Sequence, residues 1–222
     1  MNTLTLTADE VELIAKAVVP AAGADEFLPI FSHVHIFASD GVLWAQATDR
    51  YKMCRARLRD FTDELAVLVP AAWFKTATTM LRLHSRFVAG DAGDLQVTVT
   101  WDELTVTFRV VGVPKARALG TLPIALEFHK DGDRGTFPKL DFLFDLPPIS
   151  PIEFAASSIT MPPAELLRYF NGDHGGGVFV PPSEGRKQFA VVDPEGKWTW
   201  VGQPLRLKRT AAAAPIAEPV SA

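Results

Sequence analysis

The chain has 222 residues and a mass of 24.2 kDa, enough for one or two domains with a sizeable core. Its 22 basic and 26 acidic side chains leave a net charge of −4, so no bulk positive charge draws it onto nucleic acid; DNA contact would need a local patch or enclosure. The one cysteine, Cys54, excludes an internal disulfide framework, and no apolar run is long enough to span a membrane. The opening MNTLTLTADEVEL is charged by Asp9, so no signal peptide is expected and a cytoplasmic location is.

In chain order, TLTL leads into an expected helix over ADEVELIAKAVV, Ala8 to Val19, with Thr7 as its N-cap. HVHIFAS (33–39) and VLWAQATD (42–49) alternate at period two around Asp40-Gly41, a strong hairpin signal. LAVLVP then leads into a second expected helix, Ala71 to His84. LQVTVTW (95–101) and LTVTFRV (104–110) read as a hairpin around Asp102-Glu103. Three prolines within DLPPISP (145–151) deny helix and interior strand, marking a connector. FAASSITMP precedes a third expected helix, Pro163 to Phe170, and QFAVVD (188–193) with KWTWVGQPLRL (197–207) forms a third hairpin. From Thr210 the Ala/Pro-rich TAAAAPIAEPVSA reads as a disordered tail. A strand–helix–three-strand unit therefore recurs three times, over about 1–64, 65–147 and 152–209.

The residues within these units carry a resemblance. LPIFSHVHIFASDGVLWAQATDRYKM, Leu28 to Met53, resembles bacterial DNA polymerase III β sliding clamps, whose A-T-D-x-x-[RK]-[LM] pattern is matched by Ala47 to Met53. GTFPKLDFLFDLP (135–147) is similar to the family's G-x-F-P-D-Y…L-P, and WVGQPLRL (200–207) to its C-terminal Y-x-x-x-P-x-R-L strand. The resemblance implies an α+β DNA-clamp fold, with helices on one side of curved antiparallel sheets. On that basis the chain divides into a complete clamp-like domain, 1–147, a half domain, 148–209, and the tail, 210–222. Three half-units match neither the three-domain nor the two-domain subunits of known rings. A shortened, phage-like version is the expectation.

In that family a partner-binding groove lies between two domains. The resemblance places one wall at Thr48, Arg50, Tyr51, Lys52 and Met53, with Phe31 nearby and Pro147 as a second element. The other wall falls at Val201, Gln203, Pro204, Leu205 and Arg206. Gln203 stands where the family has an apolar side chain, and Arg50 where it commonly has a small one. Aliphatic and proline surfaces with basic rims suit an extended peptide. Without the resemblance both strands would read as ordinary sheet edges. DNA contact in the family is sequence-independent, made by basic residues on ring-lining helices to phosphates. Here the resemblance points to Lys75, Arg82 and Arg86 on the second helix, which carries no acid, and to Arg168 on the third. The first helix differs, with Asp9, Glu10 and Glu12 against Lys16, although acids in a first turn also favour the helix dipole.

Catalytic and metal readings find little support. Cys54 in KMCRARL reads as a small buried strand residue, and His33 with His35 makes an i, i+2 pair that lacks a third ligand at recognisable spacing. DGDRG (131–135) lacks the twelfth-position carboxylate of a calcium loop, and GDHGGG (172–177) follows a helix, unlike a phosphate-binding loop. No enzyme and no cofactor are expected. The expected function is a sliding-clamp-like processivity factor that encircles duplex DNA as a homo-oligomer and tethers a polymerase or other clamp-binding peptides. The rival is a non-ring module on the same fold that binds such peptides and competes with a host clamp.

Overall fold

The computed structural model describes residues 2–23, 28–87, 95–102, 105–112, 125–131, 136–145, 178–180 and 188–202. The third expected helix, the connector prolines, GDHGGG and the tail lie outside them.

Strand β1 (Asn2–Thr7) passes into helix α1 (Ala8–Leu13) through a cap that the sequence writes out. The Glu10 N–H donates to Thr7 Oγ1 at 3.2 Å and the Thr7 N–H donates to Glu10 Oε2 at 2.8 Å, a capping box. Glu10 is also buried and accepts from Arg59, so this acid is structural. The continuous α-helix expected to Val19 is corrected here. A wide π turn takes over at Ile14–Val18, and a tight 3₁₀ turn at Val19–Ala21 ends the segment. Pro20 is the physical reason: it has no N–H for the Lys16 carbonyl and its ring would collide with that carbonyl in a regular helix.

Strands β2 (His33–Ser39) and β3 (Val42–Thr48) join through Asp40 and Gly41, both left-handed at φ 53° and 76°. That is the geometry of a two-residue hairpin matched to strand twist. Strand β4 (Lys52–Asp60) follows, then β5 (Ala66–Pro70), which runs directly into α2 (Ala71–Phe87). In α2, Phe74, Ala77 and Leu81 recur at helical spacing and are buried, with Phe74 edge-on to Phe108 at 5.3 Å. Strands β6 (Leu95–Trp101), β7 (Thr105–Gly112) and β8 (Ala125–Asp131) complete the second unit, and β9 (Val178–Val180), β10 (Phe189–Val192) and β11 (Trp198–Gly202) come from the third.

The strands form two antiparallel sheets, ordered β1-β6-β7-β8 and β5-β2-β3-β4-β11-β10-β9. Each unit therefore gives its leading strand to the other unit's sheet: β1 pairs with β6, and β5 with β2. The seven-stranded sheet continues into the third unit because β4 pairs with β11, with Cys54 opposite Trp200. One core joins the buried side chains of α1, the π turn and α2 to Val34, Ile36, Phe108, Phe189 and Trp200. Helices and alternating strands thus share one apolar layer, which is an α+β architecture.

Candidate functional site

The turn between β3 and β4 is built by Thr48 and Asp49. Thr48, nearly fully buried, accepts the Arg50 N–H at 3.1 Å and donates to the Lys52 carbonyl at 2.8 Å. Asp49 Oδ1 accepts from the N–H groups of Tyr51 (3.0 Å) and Lys52 (2.9 Å). Both are local side-chain substitutes for ladder bonds, and they hold Arg50 at φ 80°, a left-handed backbone that a non-glycine residue adopts only when its surroundings fix it. The Arg50 guanidinium lies 5.6 Å from the centre of the Phe31 ring, and Tyr51 is left 66% exposed.

A cleft of about 270 Å³ opens beside this turn. Phe31, Thr48, Arg50, Tyr51, Lys52 and Met53 line one side of it, and Val201 with Gly202 at the end of β11 lines another. Pro138, Leu140, Phe142, Leu143 and Gln188 complete the lining. Residues 136–145 form a strap across the outer side of the seven-stranded sheet, with one 3₁₀ turn at Asp141–Leu143. Its Phe137 stacks on His35 at 4.9 Å, and its Phe144 lies 4.1 Å from the Arg55 guanidinium. Leu143 and Phe144 pack on a small cluster of Val180, Ala190 and Val201, which brings the strap onto β9, β10 and β11. Phe142 stays 66% exposed at the rim. Two exposed aromatic rings, Tyr51 and Phe142, thus stand at one cleft whose lining is mainly apolar, with Arg50, Lys52 and Gln188 among it.

Seven of the groove residues taken from the sequence, Phe31, Thr48, Arg50, Tyr51, Lys52, Met53 and Val201, therefore surround a single cleft. Pro147, Gln203, Pro204, Leu205 and Arg206 lie outside the described residues. Sequence reasoning missed the strap's Pro138, Leu140, Phe142 and Leu143, together with Gln188 and Gly202. The available signal was FPKLDFLF, more apolar than a surface connector requires yet without helix or strand period. Gly202 is required where it stands: a Cβ there would lie 2.3 Å from the indole of Trp200.

Of the expected phosphate-facing residues, Lys75 is exposed on α2, and spacings of seven and four place positions 82 and 86 on its helical face. The side chains of Arg82 and Arg86, and all of Arg168, lie outside the described set. On the first helical segment Glu12 pairs with Lys16 at 2.5 Å. Cys54 is fully buried, and burial pushes its thiol above the ordinary range, away from nucleophilic use. His33 is buried with Nδ1 2.7 Å from the Pro29 carbonyl, while His35 is stacked between Phe37 and Phe137 and held down to about 4 by burial and by Arg55. Among the described residues no three His, Cys, Asp or Glu side chains gather as a metal site.

No family model matches the chain, and no curated protein matches it in sequence. Solved structures do match in fold. The DNA polymerase III β chain of Streptococcus pneumoniae superposes with a TM-score of 0.54 at 15% identity, over 93% of this chain and 65% of that one. The fold is that of a DNA sliding clamp. The sliding clamp of Caulobacter crescentus gives a TM-score of 0.54 at 14% identity, over 93% of this chain and 66% of that one. DNA polymerase III subunit β of Borrelia burgdorferi, solved in complex with a natural product, gives 0.54 at 10% identity, over 93% and 63%. This chain spans somewhat less than two thirds of the length of each clamp. At such identities the likeness is one of fold, and the chain's own cleft has to carry the functional argument.

Proposed function

We propose that this clamp-fold chain is a sliding-clamp-like processivity factor. It encircles duplex DNA as a homo-oligomer and tethers a polymerase through a peptide held in the cleft beside Tyr51. The single observation that carries the reading is that the A-T-D turn, the strap and the end of β11, which are far apart in sequence, line one mainly apolar cleft on a clamp fold. Its mechanism is mechanical. Enclosure replaces chemical affinity, which is how a protein of net charge −4 holds a polyanion, while Lys75, Arg82, Arg86 and Arg168 make sequence-independent phosphate contacts. The cleft accepts apolar anchors of an extended peptide, and Arg50 and Lys52 form its basic rim. No bond is made or broken, so the protein is not an enzyme on this reading.

The test has two arms. Light scattering after gel filtration should give a concentration-independent mass that is a whole multiple of 24.2 kDa, and the oligomer should stay on closed circular duplex yet leave it once the circle is linearised. A mass of 24.2 kDa at every concentration would overturn the ring and leave the peptide-binding module as the surviving reading.

A further inference from the structure

Two hydrogen bonds shape the strap's 3₁₀ turn, from the Leu143 N–H to the Leu140 carbonyl (3.0 Å) and from the Phe144 N–H to that of Asp141 (2.9 Å). Besides the apolar packing of Leu143 and Phe144 on Val180, Ala190 and Val201, a run of side chains centred on Arg55 of β4 joins the strap to the sheet. The Arg55 Nη2 donates to Asp141 Oδ1 at 2.5 Å, and its Nε and Nη2 donate to Gln46 Oε1 at 3.0 and 2.8 Å. The same guanidinium sits 4.1 Å from the ring centre of Phe144, 5.4 Å from Phe37 and 5.8 Å from Trp44. Gln46 in turn lies 3.1 Å from His35 Nδ1, and His35 stacks on Phe137 at the strap's other end. The Arg55 side chain is only 12% exposed, although Asp141 is 71% exposed. A planar cation that is both forked and stacked does this in a way an ammonium cannot.

We infer that Arg55 is a positioning residue for the cleft: it latches the 136–145 strap, and with it the wall of Pro138, Leu140, Phe142 and Leu143, onto the outer side of the sheet. The inference rests on the proposed peptide-binding reading for what the cleft does, but its first test is independent of any peptide. Lys139 is exposed on the strap and Lys75 is exposed on α2, so a lysine-specific protease reads the two places separately. Arg55→Met keeps the aliphatic stem and removes the fork. It should raise cleavage after Lys139 about tenfold relative to cleavage after Lys75, because local opening of the strap is released from global unfolding. Arg55→Lys keeps the charge and should show most of the same rise, since stacking and the fork are gone. Should Arg55→Met fail to fold, Phe144→Leu leaves β4 intact and should give the same selective cleavage. Cleavage at both lysines rising in step, or staying at the parent level in every variant, would overturn the latch.

The second test uses short peptides with apolar anchors, selected from a random library for binding to the unmodified protein. Arg55→Met should weaken the selected peptide about tenfold, and undiminished binding with a released strap would overturn the positioning role. If no peptide is selected at all, the proposed function fails, while the protease result still decides the latch.

Discussion

One wall of the cleft closes over residues 48–52 and is held by hydrogen bonds that never leave the turn; the other arrives from residues 136–145 and is held by side chains 86 positions away in sequence. In the first, Thr48 and Asp49 bind backbone groups two to four residues on, so the wall is as rigid as the hairpin that carries it. In the second, a cation between aromatic rings and one stacked histidine do the holding, and both are sensitive to charge. The difference teaches that a single cleft can have one wall fixed by the fold and one wall fixed by chemistry.

The largest effect should come from acid, and it should fall on the strap wall. His35 takes a proton near 6.5 when unfolded but only near 4 in the fold, because burial and then Arg55 disfavour the charged ring, with Asp141 opposing them. The neutral form is therefore the folded form. The stability it contributes is fully present above pH 6.5 and is lost as pH falls through 6.5 toward 4, a loss of about 3 kcal/mol. Urea unfolding at pH 7 and pH 4 should show this loss, and His35→Phe, which keeps a ring in the stack, should remove that part of the pH dependence. An unchanged pH profile in His35→Phe would break the comparison.

Next in size is Gly202→Ala, which touches the floor between the walls. The new methyl would meet the Trp200 indole at 2.3 Å and force it to move, at a cost of about 2 kcal/mol by thermal unfolding. Thr48→Val should cost about 1.5 kcal/mol, because the buried hydroxyl that makes two part-buried hydrogen bonds to the turn backbone is lost. This variant sharpens the contrast: it should loosen the turn and leave protease cleavage at Lys139 unchanged. The smallest effect on stability should come from Tyr51→Ala and Phe142→Ala, within about 0.5 kcal/mol, since both rings are largely exposed. If the cleft binds peptide, these two should nevertheless lose most of that binding. Full retention in both would remove the exposed aromatics from recognition.

What could be read from the sequence follows the same division. The Asp40-Gly41 hairpin, the Thr7 cap, the β5–α2 junction and the A-T-D turn are all written in neighbouring residues, and the structure has them there. The α1 segment was misread at its end because the apolar period continues through Val19 while Pro20 forces the wide turn. In the sequence the strap shows only as a string similar to a family motif that runs into a connector, because its anchors, Arg55 and His35, lie on two different strands. No local period announces such a contact. The exchange of leading strands was equally silent. NTLTLT alternates well enough to edge either sheet, and only the three-dimensional arrangement decides that it pairs with β6.

That exchange has a consequence for how the chain acquires its structure. Neither half of residues 1–131 contains a finished sheet: cut between β4 and β5, the first part would lack the strand beside β2, and the second would lack the strand beside β6. Each fragment would display a raw edge able to recruit another chain. The two halves are therefore obliged to fold in concert, closing β1 onto β6 across 89 to 99 positions of sequence, so folding should be slow for the chain's size and cooperative across both sheets.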